Sequence, residues 1–129
     1  MPKEPTNEKT AVGYIRISRN PYRRTSNKEL ADRQRAALHA KAAELGAKYE
    51  KEYNDYGGKG RPGVHTGFSV LLYDIHKRQV DYVIVESLDR LSRDRDEVAR
   101  ILNFVKSTGA KLVTTKYDVD KAGWLYAKE

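Results

Sequence analysis

Cysteine is absent from this chain of 129 residues. That absence excludes disulfide staples, thiolate metal sites and cysteine nucleophiles, and it suits a reducing, intracellular setting. No apolar run approaches the roughly 20 residues that span a bilayer, and the N-terminus lacks the hydrophobic segment of a secretion signal. The expectation is a soluble, cytoplasmic protein. Internal repeats and low-complexity tracts are also missing, so repeat architectures are set aside.

The length suits one domain with its own core. Against 18 acidic residues stand 25 lysines and arginines, a formal charge of +7. This balance favours a polyanionic partner, nucleic acid first, although an ordinary basic surface has the same composition.

Met1 to Thr10 holds two prolines and alternating charges and reads as a flexible N-terminal arm. Ala11 to Ile17 is β-branched and aromatic-rich, and it predicts a first strand with Ser18 at its end. Arg19 to Ser26 has the composition of an exposed basic loop. From Asn27 or Lys28 to Leu45, the residues Leu30, Ala37, Leu38, Ala42 and Leu45 recur on one helical face, with Gly46 as the stop. Tyr49 to Tyr53 predicts a weak second strand. Asn54 to Gly63, rich in glycine, predicts a loop. Its Gly-Lys content lacks the Gly-Lys-Ser/Thr ending of a phosphate loop, which argues against an NTPase.

Phe68, Leu71, Leu72 and Ile75 predict a second helix to about Arg78, with Thr66 as its cap. Val80 to Glu86 is the most hydrophobic strand. Asp94 or Asp96 opens a third helix through Val105, and Lys111 to Thr115 supplies a further strand. Strands alternating with helices predict an α/β fold, a mostly parallel central sheet of about four to five strands with helices on both faces. The tail, with Trp124, Leu125 and Tyr126, reads either as the start of a further element or as a short segment packing Trp124 on the core.

Two stretches turn polar where buried strands end: Tyr14-Ile15-Arg16-Ile17-Ser18 and Leu88-Asp89-Arg90-Leu91-Ser92-Arg93-Asp94. Ligands in parallel α/β sheets bind in the crevice outside the carboxyl ends of the strands. Arg16 lies two residues before Ser18, so both side chains share one face of an extended strand. Arg90 and Arg93 share a side if the chain coils into a turn after Asp89, which is then free to hold a guanidinium. Guanidinium forks match phosphoryl oxygens and stabilise the charge that builds on them during attack.

Taken singly, each residue has a commoner structural role. Ser18 can end a strand, the arginines can be solvated and Asp89 can cap a helix. Their joint appearance after two buried strands is the signal. His39, His65 and His76 are scattered, and no Gly-x-Ser-x-Gly elbow supports a hydrolase triad. The acidic pairs Asp94 with Asp96 and Asp118 with Asp120 sit in helix-start or loop settings, so no metal is expected.

From Ala11 to Val119 the chain resembles the catalytic domain of the serine recombinases, the resolvase and invertase family that includes the large phage integrases. The resemblance rests on Tyr14-x-Arg16-x-Ser18, Gln34, Asp55 with the glycine loop, Arg61-Pro62-Gly63 and Asp89-Arg90-Leu91-Ser92-Arg93. It implies a resolvase-like fold over residues 11–119 and a nucleophile, Ser18, that forms a 5′-phosphoserine link to DNA and frees a 3′-hydroxyl. Strand exchange and rejoining then follow without ATP, metal or another cofactor. It also implies that Arg16, Arg90, Arg93 and Arg61 stabilise the phosphoryl group, that Asp89 positions an arginine, and that Tyr14, Gln34 and Asp55 support the site or bind DNA.

Two features depart from the family pattern. Gly57 stands where members carry a serine, and Val64-His65-Thr66 separates Arg61-Pro62-Gly63 from Gly67-Phe68, which makes His65 the alternative to Arg61. The extended Arg19 to Ser26 loop leans towards the large integrases. Residues 120–129 are then the truncated start of a linker or long helix. The implied partners are DNA attachment or resolution sites and further copies of the protein as a dimer or tetramer, with recombination not expected of the fragment alone. A non-enzymatic module binding phosphate or nucleic acid through the same arginines is the competing reading.

Overall fold

The computed structural model describes residues 8–17, 24–56 and 66–117. Four strands, β1 (Lys9–Ile17), β2 (Ala47–Tyr56), β3 (Tyr82–Val85) and β4 (Lys111–Thr114), alternate with three helices, α1 (Asn27–Glu44), α2 (Thr66–Lys77) and α3 (Arg95–Ser107). All neighbouring strands run parallel, in the order β2-β1-β3-β4. This is the expected α/β architecture, and every carboxyl end of a strand reaches the same edge.

Alternation along β1 feeds two cores. Val12 and Tyr14 join Val83 and Val85 under Phe68, Leu71 and Ile75 of α2 and Val98, Ile101 and Val105 of α3. Ala11, Ile15 and Ile17 join Ile84 under Ala31, Leu38 and Ala42 of α1. A strand covered on both faces reads as a continuous apolar run, and each fully buried large side chain contributes about 1.5–3 kcal/mol.

Helix α1 buries a narrow stripe of Ala31, Gln34, Leu38 and Ala42, with Leu30 and Leu45 packed at its margin. Ser26 and Glu29 form a reciprocal capping box, and Gly46 takes the left-handed conformation (φ 69°) just past the helix. The Ser-x-x-Glu spacing was the available sequence signal for that start. Arg35 clips α1 to β2 by a paired hydrogen bond to Glu52, from Nε at 3.1 and 3.0 Å and Nη2 at 2.8 Å. No described helix is long and apolar enough to cross a membrane.

Three expected boundaries move. Strand β1 begins at Lys9, because Lys9 and Thr10 pair with Ala47 and Lys48 and the Thr10 amide donates to Asp81 at 2.9 Å. The expected arm at 1–10 therefore loses its last residues to the sheet, while residues 1–7 lie outside the described ones.

Strand β2 runs on through Asn54, Asp55 and Tyr56, which composition assigns to a loop, because Ile15, Arg16 and Ile17 of β1 offer them a parallel ladder. Strand β3 is shorter than Val80 to Glu86. Val80 is nonetheless buried in the core, and Glu86 follows the strand's end. The glycine loop from Gly57 through Arg61 to His65, and the tail with Trp124, lie outside the described residues.

Gly13 faces the Tyr49 ring, where an added Cβ would stand 2.0 Å from Tyr49 Oη. That ring is itself held against His39, with centroids 4.1 Å apart, and its hydroxyl donates to Glu52 at 3.1 Å. Gly13→Ala is expected to lower stability by about 1–3 kcal/mol, the usual cost of overpacking. Urea denaturation checks this, and an unchanged midpoint would contradict it.

Candidate active site

Arg16 is the first charged residue of β1 after the apolar run from Ala11 to Ile15, and it is half-buried. Its neighbour across the ladder is Asp55 of β2. The Asp55 carboxylate accepts three hydrogen bonds: from the Tyr14 hydroxyl at 2.7 Å and from the amides of Gly67 and Phe68 at 2.8 and 3.1 Å. Asp55 therefore joins the ends of β1 and β2 to the positive N-terminal end of α2. Gly67 is required by this approach, since a Cβ there would stand 2.3 Å from the Asn54 carbonyl oxygen.

Burial, and then the Asp55 hydrogen bond and charge, push the Tyr14 phenol well above its ordinary 10.0, with the Arg16 charge acting in the opposite direction. Gln34 of α1 is buried, and its Nε2 donates to the Arg16 carbonyl at 3.2 Å. Its Oε1 has no hydrogen-bond partner among the described residues. The three residues read as supporting ones, Tyr14, Gln34 and Asp55, thus all touch the end of β1 or its backbone.

The second stretch begins where β3 ends. Leu88 to Arg90 form one 3-10 turn, and Leu88 and Leu91, three residues apart, are both buried. Residues at that spacing eclipse in such a turn, so the two leucines anchor it and Asp89 and Arg90 project from the core. The Leu88 amide is held by the Tyr117 hydroxyl at 2.8 Å. Asp94 caps α3 by accepting from the amides of Asp96 and Glu97, and Ser92 accepts from the Asp94 amide while donating to Glu97 at 2.6 Å. Arg93 lies exposed between these caps.

The expected partnership of Asp89 with an arginine takes a different form. Its carboxylate accepts a short hydrogen bond from the Ser87 hydroxyl. That bond foremost, and then the charges of Arg90 and Arg93, hold its carboxyl below the usual range against the opposing effect of burial. Arg90 instead donates from Nε and Nη2 to Oε1 of Glu86, at 3.0 and 2.8 Å. Sequence reasoning placed Glu86 only at a strand end and missed this contact. The signal was a glutamate four residues before an arginine, which is easily passed over outside a helix.

Ser18 and Arg61, two of the predicted site residues, lie outside the described ones, as does the alternative His65. Among the rest, the structure gathers Tyr14, Arg16, Gln34 and Asp55 at the end of β1, and Asp89, Arg90 and Arg93 at the turn after the adjacent β3. A cavity of about 480 Å³ lies elsewhere, between the end of α1 and β4, lined by Lys41, Tyr82 and Lys111 to Tyr117. It holds none of these residues.

Residues 11–123 match the family model described as the N-terminal domain of resolvase. The chain belongs to this resolvase family. Comparison with curated proteins finds no match.

Among solved structures, the resolvase domain is similar to the N-terminal catalytic domain of TP901-1 integrase, with 24% identity, 89% of this chain and 85% of that chain covered, and a TM-score of 0.70. It is similar also to the C-terminal catalytic domain of ISC1926 TnpA, an IS607-like serine recombinase (24%, 88% and 75%, 0.69). A resolvase family site-specific recombinase from Streptococcus pneumoniae gives 23%, 92% and 82%, and 0.69. At these identities the likeness speaks for the fold.

The raised Tyr14 phenol gives the resolvase domain a defined alkaline behaviour. A raised folded pKa means that the contribution is whole below the unfolded value of 10.0 and is lost as pH rises above it towards the folded value. Urea midpoints should therefore hold up to about pH 10 and fall above it. Tyr14→Phe should fall less steeply over the same interval; an identical slope would show that Tyr14 is not among the groups responsible.

Proposed function

We propose that this resolvase domain is the catalytic unit of a site-specific DNA recombinase, with Ser18 as nucleophile. The observation that carries the reading is the placing of Arg16 and the Asp89-Arg90-x-x-Arg93 turn at the ends of adjacent parallel strands in a chain of the resolvase family. Ser18 Oγ attacks a DNA phosphorus. The Ser18 hydroxyl gives up its proton as the new Oγ–P bond replaces the bond from phosphorus to the 3′ oxygen, and that oxygen takes up a proton to leave as a 3′-hydroxyl. Reversal by a 3′-hydroxyl from the exchanged strand rejoins the DNA, so neither ATP nor a metal is consumed.

Arg16, Arg90 and Arg93, with Arg61 from the glycine loop, stabilise the charge on the phosphoryl oxygens. Tyr14, Asp55 and Gln34 hold the end of β1, and Asp89 supports the turn that presents the arginines. The partners are duplex DNA sites and further copies of the same protein, in the cytoplasm.

Incubating the protein with a pool of nicked duplexes of randomised sequence, and resolving the products on a denaturing gel, tests the proposal. A protein–DNA adduct is expected from the wild type and none from Ser18→Ala. Arg16→Ala and Arg93→Ala should each slow adduct formation by about 10²–10³-fold, the usual loss on removing one transition-state donor. DNA binding without any adduct would instead identify a non-enzymatic binding module.

A further inference from the structure

Glu86 has no part in the function above, yet it occupies the best-matched donors of Arg90. It follows β3 directly, and its Oε1 accepts from Arg90 Nε at 3.0 Å and Nη2 at 2.8 Å. The two side chains retain only 18% and 30% of their exposure, so water and salt screen the pair less than one on the open surface. A carboxylate seated on this edge of a guanidinium uses the same N–H donors that a phosphate would take.

Glu86 follows Val85 in a bend just past the end of β3. Arg16 leaves β1 on the face shared by Val12 and Tyr14. Lys116 Nζ stands 3.9 Å from the second carboxylate oxygen, Oε2, so Glu86 keeps a cation when Arg90 departs.

We propose that Glu86 is a positioning residue that holds Arg90 in reserve, and that a DNA phosphodiester displaces this carboxylate before Arg90 acts beside Arg16. The inference rests on the recombinase reading and adds an autoinhibitory contact to it. One anion replaces another on Arg90 while Glu86 passes to Lys116, so the exchange strands no charge. It makes adventitious cleavage slow, because a phosphate must compete with a tethered carboxylate.

The test follows the Arg90 Nε resonance of ¹⁵N-arginine-labelled protein, assigned with Arg90→Lys, during titration with inorganic phosphate. In Glu86→Gln the signal should respond at phosphate concentrations about tenfold lower than in the wild type, because the competing charge is gone. Glu86→Asp keeps the charge but draws it back by one methylene. It should fall between the two, and it serves if Glu86→Gln does not fold. Equal titrations of wild type and the folded variants would overturn the proposal.

A second arm measures adduct formation on the nicked duplexes, where Glu86→Gln should be faster than wild type by about the same tenfold. Equal adduct rates would overturn the inference while leaving the recombinase reading intact. Release of Arg90 to phosphate with no adduct from either protein would support the Glu86 contact and count against strand cleavage.

Discussion

The two-sided burial of β1 is the constraint on which the rest depends. A central parallel strand with neighbours on both edges has no solvent for its backbone, and every amide must find a ladder partner. Here β2 supplies one along the whole of β1 and β3 another along its middle. The same strand separates the two cores, α1 on one face and α2 with α3 on the other. No charged side chain stands between Ala11 and Ile15, and the first, Arg16, is half-buried between the buried Ile15 and Ile17.

What is built at that edge is secured from behind. Leu88 and Leu91 sink into the core and leave Asp89 and Arg90 outside it. Asp55 binds two strands and a helix start with one carboxylate, satisfying amides that α2 cannot satisfy for itself. Arg16 is backed by Gln34 through its carbonyl, so the strand end is fixed while its side chain reaches the edge. The arginine turn is also electrostatically divided, since Asp89 takes its hydrogen bond from Ser87 while Arg90 turns to Glu86. Arg90 is thus charge-compensated by Glu86.

Much of the fold was legible in residue order. The apolar runs of β1, β3 and β4 and the spacing of Phe68, Leu71 and Ile75 marked elements that the structure contains, and the alternation of strand and helix implied the parallel sheet. Helix α1 was legible as well, expected from Asn27 or Lys28 to Leu45 and found at Asn27–Glu44, although its buried Ala31, Gln34 and Ala42 contribute little hydrophobic contrast. Strand β2 was less visible. Strand β2 carries Lys48, Glu50 and Lys51 on an edge, and its extension to Tyr56 depends on β1 alone.

The gathering of charged residues at the candidate site was legible in part for the same reason. Arg16, Asp89, Arg90 and Arg93 announced themselves by standing at the ends of apolar runs, a property of the chain as written. Residue type and periodicity thus determined by themselves which segments are buried, where each stops and which charged groups gather at the stops, because burial tolerates few polar side chains. Only the tertiary structure decided that Asp55 answers Tyr14 across 41 positions, that β2 lies beside β1, and that Arg90 belongs to Glu86 and not to Asp89. Those are choices among partners of equal chemical fitness, and they are made by distance and direction, which exist only once the sheet has set its register.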